Sequence, residues 1–168
     1  MDWVEDNAAT RDIQLTLILG DICWGEGFTY AHDALNKLSM PWVPVMGDNV
    51  VQARQEDTFH ATFDAQLEGL QGALTGFEVQ PTPVWNPERE MDSWLQNIRF
   101  DFGGIRFLSV DWNSREIGSI WGETPDLHDF DGGTWPWLLS ELSQIDDRPR
   151  DSVILLSHMP LFEGIGGL

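Results

Sequence analysis

Two short apolar runs, residues 15–19 (LTLIL) and 42–46 (WVPVM), each stop at a Gly-Asp step, Gly20-Asp21 and Gly47-Asp48. Continuous apolar runs of this length, bounded by turn residues, fit strands buried on both faces. Between them, residues 30–38 read as a crossover helix, closed by Ser39-Met40-Pro41 because proline does not continue a helix. The alternation of strand, acid, helix, strand and acid places the Asp21 and Asp48 carboxylates at one edge of one sheet. Pro44 inside the second run suggests a distorted or terminal strand position. Ahead of this unit, Trp3, Val4 and Ala8 recur at near-helical spacing and predict a helix over residues 2–11. The stretch between the first acid and the helix is a loop in which Glu26 is an exposed acid.

Residues 50–74 read as mainly helical, with Phe59, Phe63, Leu67 and Leu70 on one apolar stripe. His32 and His60 fall on helix faces turned to solvent. Residues 75–89 contain PTPVWNPER and read as an ordered loop. A hairpin follows: residues 97–102 and 105–110 flank Gly103-Gly104, a pair suited to a tight antiparallel turn. Its second strand ends at Asp111-Trp112-Asn113. Residues 114–131 form an irregular loop carrying His128. Residues 132–142 predict a helix with Trp135, Leu138, Leu139 and Leu142 inward, and residues 152–156 (SVILL) another buried strand, ending at Ser157-His158.

At 168 residues the chain is expected to form one domain. No run of about 18 apolar residues occurs, so no membrane span is expected. The first residues have neither the basic nor the apolar region of a signal peptide. The net charge of −19 would repel a phosphate backbone and argues against a nucleic-acid surface. It suits a solvated, self-repelling surface and is compatible with carboxylates that converge on cations. The lone Cys23 rules out an intrachain disulfide framework and any Cys-rich zinc site.

Three strands therefore end in a metal-ligating side chain, Asp21, Asp48 or His158, and a fourth in Asp111. Ligands in open α/β sheets bind at the carboxyl ends of strands. Carboxylates mixed with an imidazole suit Mn, Fe or Zn, whereas carboxylates alone would suit Mg or Ca. An Asp after a strand also serves as a helix N-cap, and only the set of three or four outweighs that reading. Asp111 and Asn113 are placed to support the site from behind. Arg115 has the fork to hold a phosphate, or an ion pair with the abundant acids. His128 overhangs the site or plays a structural or solvent-facing part.

The order of these blocks resembles the calcineurin-like metallophosphoesterases. Gly20-Asp21 matches that family's second block, Gly47-Asp48-Asn49 part of its third, and His158 within ILLSHMPL its fourth. The run NIRFDFGGIRFLSVDWNSR looks like the hairpin that precedes the fourth block. The resemblance implies a layered α/β/β/α sandwich spanning residues 1–168 and hydrolysis of phosphomonoesters or phosphodiesters at a two-metal centre. It implies that Asp21 bridges both metals, that Asp48 stands in place of a metal-binding Asn, and that His158 ligates one metal. Asn49 stands in place of the catalytic His, and Val50 in place of an acid. Asn49 can donate a hydrogen bond to phosphate but cannot serve as a general acid. The family's D-x-H and G-H-x-H blocks have no counterpart, so the expectation is a partial domain, truncated at both ends, holding one metal or none by itself. The competing expectation is a non-catalytic remnant of the fold that acts as a binding module.

Overall fold

The computed structural model describes residues 1–115, 124–145 and 152–160, which form a mixed α/β fold with three sheets. Helix α1 (Asp2–Arg11) lies on the outside with no buried residue, touching the core through Val4 and Ala8. Strand β1 (Thr16–Leu19) and strand β2 (Trp42–Val45) pair parallel, Thr16 opposite Trp42 and Leu19 opposite Val45. The crossover between them is helix α2 (Gly27–Leu35), which starts and stops three residues earlier than the pattern predicts. Phe28 explains the early start: it is buried, with its ring edge-on to Phe59 and Phe63, so the first turn of α2 is anchored before Tyr30. Pro44 sits within the ladder of β2, in a two-stranded sheet where both strands are edges. The open edge of β2 is covered by two glutamines: Gln66 donates to the Trp42 carbonyl, and Gln96 donates to the Pro44 carbonyl while accepting from the Met46 amide.

The single helix expected over residues 50–74 is two helices, α3 (Asp48–Gln52) and α4 (Glu56–Ala73). Arg54 separates them in the left-handed region, φ 54°, which no helix passes through. Residues 75–89 are not a loop. Strand β3 (Thr75–Val79) follows α4 at once, and strands β4 (Val84–Asn86) and β5 (Met91–Ser93) form a separate antiparallel ribbon. Phe77 and Val79 supply the apolar alternation that the proline-rich composition downstream conceals. Strands β6 (Ile98–Phe102) and β7 (Ile105–Ser109) form the expected hairpin. Gly103 and Gly104 both take positive φ, which a residue with a side chain resists. Helix α5 (Thr134–Ser143) and strand β8 (Ser152–Leu156) complete the elements among the described residues, and β8 joins β7 in parallel to give the order β3-β6-β7-β8.

Burial expectations are corrected on β1, α5 and β8: β1 is half-buried rather than buried on both faces, and its Leu19 is exposed. On α5 the buried residues are Thr134, Leu138 and Glu141, with Trp135 half-buried, while Leu139 and Leu142 are exposed. Glu141 is held inward by its ion pair with Arg99 at 3.0 Å, which turns the leucines out. Strand β8 is an edge strand whose Ile154 and Leu155 are exposed, and only Leu156 is buried. Three apolar cores lie on alternating strand faces. Ile18 and Trp42 pack with α2 and α4. Leu15, Leu17 and Val43 pack with Phe100, Phe107 and Leu156. Leu108, Val110 and Val153 pack with Leu138 of α5.

Candidate metal centre

The ends of β1, β2 and β8 bring Asp21, Asp48 and His158 together. Each offers one ligand atom, and these atoms lie within 4.8 Å of one another. Asp21 leaves β1 in the left-handed region, φ 48°, an uncommon state for a residue with a side chain and one that Asp tolerates. Asp48 opens α3, where its carboxylate favours the positive helix end. His158 reaches across from the other sheet and lies over Gly20.

The two glycines of the Gly-Asp steps make these approaches possible. A Cβ at Gly20 would strike the His158 ring, and Gly20 also takes φ +90°. A Cβ at Gly47 would strike the backbone nitrogen and the carboxylate of Asp21. Each glycine thus clears space for a ligand from another strand.

The donor set is tightly oriented. His158 Nδ1 lies 2.8 Å from the Leu19 carbonyl, and Nε2 lies 2.9 Å from Asp48 Oδ1 and 3.6 Å from Asp21 Oδ1. A carbonyl only accepts, so Nδ1 carries a proton and Nε2 is the ring atom facing the two acids. Burial by itself would lower the His158 pKa, but the bonds to Leu19 and Asp48 and the charges of Asp21 and Asp48 outweigh it and raise the pKa. Asp21 accepts from the Asn49 side-chain amide at Oδ2, 2.7 Å, and from the Asn49 backbone at Oδ1, 3.3 Å. Asp48 Oδ2 accepts from Gln52 at 2.8 Å. Two carboxylates and one imidazole nitrogen form the donor set that a divalent transition-metal ion takes, so the residues present fit such an ion.

No family model, curated protein or solved structure matches this chain.

The remaining candidates lie apart from the centre. Asp111 is fully enclosed and accepts from Gln96, from the backbone and side chain of Asn113, and from both Arg115 terminal nitrogens. Burial works against its charge, but the Arg115 guanidinium and these bonds prevail and lower its pKa. Arg115 is 1% exposed, bonded to Asp111 and to the Asn113 and Trp94 carbonyls, with Glu56 at 3.6 Å. It is an internal ion-pair partner and offers no fork to a phosphate. His128 is buried too, its Nε2 2.9 Å from the Asn113 carbonyl, and it does not overhang the centre. Burial, then the nearby Arg115 charge, lowers its pKa. His60, expected on the surface, is 5% exposed, because Trp94 stacks obliquely on it and Asp64 holds Nδ1. His32 is only half-buried, edge-on to Trp42 and Phe63. Glu26 is the residue before α2 and makes no side-chain cap.

Sequence reasoning missed Gln52 and Gln96. Gln52 lies four residues after Asp48 on a helix, the spacing that places both on one face, and that was the available signal. Gln96 gives none, since its role depends on a strand edge distant in sequence. Its backbone amide donates to Asp111 and its side chain to the Pro44 carbonyl, so it ties the buried ion pair to β2 and thereby to Asp48.

Proposed function

We propose that this chain is a metal-dependent phosphoester hydrolase domain of the calcineurin-like kind, with its divalent cation held by Asp21, Asp48 and His158. The observation that carries the reading is that ends of three strands far apart in sequence deliver a carboxylate, a carboxylate and an imidazole to one point. The three cores on alternating strand faces support a layered α/β/β/α arrangement. The β6–β7 hairpin and β8 stand in the order that the resemblance implies. A cation bound there would polarise a phosphoryl oxygen and lower the pKa of a bound water. The chain's own residues orient it: Leu19 fixes the His158 tautomer, and Asn49 and Gln52 fix the carboxylates. Release of p-nitrophenol from the mono- and bis-(p-nitrophenyl) phosphates by the Mn²⁺-loaded chain tests it. Turnover above buffer that is lost in Asp21→Asn is the expected result, and Asn49→His should raise it by supplying a general acid.

One observation favours a second reading, a non-catalytic cation-binding module. The Asn49 amide, at the position of the family's catalytic histidine, is turned back onto Asp21, and the described histidines other than His158 lie outside the three-residue group. Stoichiometric Mn²⁺ binding with no turnover in either the native chain or Asn49→His would select that reading.

A further inference from the structure

Asp21 and Asp48 each have Oδ2 held by a neutral side-chain amide. Asn49 Nδ2 occupies Asp21 Oδ2, and Gln52 Nε2 occupies Asp48 Oδ2. In both acids Oδ1 is the oxygen beside His158 Nε2, at 3.6 and 2.9 Å, and that of Asp21 also accepts from the Asn49 backbone at 3.3 Å. Neither amide brings charge, so the carboxylates keep their attraction for a cation while losing the freedom to turn both oxygens toward it. Resting on the cation-binding reading above, we propose that Asn49 and Gln52 are positioning residues that make Asp21 and Asp48 one-oxygen ligands. They thereby select a single first-row transition-metal ion over Ca²⁺.

The chemistry follows from what each ion needs. Ca²⁺ takes six to eight oxygens and commonly gathers them from two-oxygen carboxylates. A centre limited to two single oxygens and a nitrogen falls short of that number. Mn²⁺, Zn²⁺ and Fe²⁺ accept imidazole and fewer ligands, with water completing the set. Groups that orient ligands from behind typically set metal affinity within roughly 10–100-fold. Gln52 is exposed and Asn49 half-buried, so neither side chain is needed to fill the core.

The test measures Mn²⁺ and Ca²⁺ binding calorimetrically for the native chain, Asn49→Ala and Gln52→Ala, with visible spectra of the Co²⁺-loaded forms. Gln14→Ala is the control, since Gln14 is exposed and, among the described residues, its side chain bonds to Asp12. The native chain should bind one Mn²⁺ and prefer it to Ca²⁺, and the control should match it. Either variant should weaken Mn²⁺ by roughly 10–100-fold while Ca²⁺ affinity holds or rises. Cobalt absorption should also weaken as a freed oxygen raises the coordination number. Variants with native affinities, or with both cations weakened equally and an unchanged cobalt spectrum, overturn this proposal and leave the cation site standing. Two Mn²⁺ per native chain overturns the single-ion assignment. A native chain that binds neither cation overturns the site and this proposal together.

Discussion

Two polar clusters lie behind strand ends in this chain, and they are built in opposite ways. Around Asp111, an arginine answers the charge, five hydrogen bonds fill the carboxylate, and the whole group is buried. Around Asp21 and Asp48, two carboxylates face one imidazole, the bonds come from neutral amides, and the side chains are 20–37% exposed. A strand-end acid is therefore not a functional signal in itself. What separates the clusters is compensation: the Asp111 group has its cation in the chain, and the Asp21–Asp48 pair has a surplus of negative charge with access to solvent.

The sharpest way to break this contrast is to remove one partner of the buried pair. Asp111→Ala should cost about 3–5 kcal/mol, because Arg115 is then left enclosed with only the more distant Glu56, at 3.6 Å, to answer its charge. Urea unfolding reads the loss, and a cost below about 1 kcal/mol would mean that the pair is not sealed from water. Next in size are the two glycines. Gly47→Ala and Gly20→Ala should each destabilise by about 1–3 kcal/mol, since the added methyl collides with Asp21 or His158. Both should also abolish Mn²⁺ binding, unlike Gly69→Ala, where the added methyl meets nothing.

The acid side of the stability profile gives the next effect, through the buried histidines. His60 and His128 have pKa values lowered chiefly by burial. The unfolded chain takes up protons near pH 6.5 that these folded imidazoles refuse. Their contribution is thus intact above about pH 6.5 and is lost as pH falls through their lower folded values. Asp111, lowered as well, extends the loss to more acid pH. Glu56 acts oppositely: burial raises its pKa despite Arg115, so its contribution is present below the ordinary carboxylate value and is lost as pH rises. His60→Leu should flatten the decline below about pH 6.5 in thermal melts, and an unchanged slope would remove His60 from the account. The smallest stability change is expected at the open centre. Asp21→Asn should move stability by no more than about 0.5 kcal/mol, while weakening Mn²⁺ by more than the roughly 10–100-fold typical of outer groups.

The contrast also explains what is legible in the sequence. The Leu15–Leu19 and Trp42–Met46 runs are local patterns, and they suffice to put their two acids at one sheet edge, where the fold has them. The Gly103-Gly104 hairpin is likewise local chemistry. His158 is marked by its strand context, and its arrival over Gly20 is a tertiary fact that agrees with it. The misreadings share one cause. Whether His60 faces water depends on partners from elsewhere in the fold, and an imidazole side chain carries no mark of its burial, whereas the ion pair of Arg115 and the structural place of His128 are among the readings that the sequence offers. Strand β3 is hidden because its alternation is short and runs directly out of a helix. The exposed faces of α5 and β8 are misjudged because a leucine says nothing about whether an element lies at an edge.

The contrast between the two clusters rests on Asp21, Asp48 and His158 forming one cation centre and on the Asp111 group forming none. Mn²⁺ titration followed by electron paramagnetic resonance, on the native chain, His158→Ala and His128→Ala, tests it most directly. The account predicts one tightly bound Mn²⁺ in the native chain, its loss in His158→Ala and its retention in His128→Ala. A native chain that leaves Mn²⁺ free, or a His158→Ala chain that binds it as the native chain does, would contradict it.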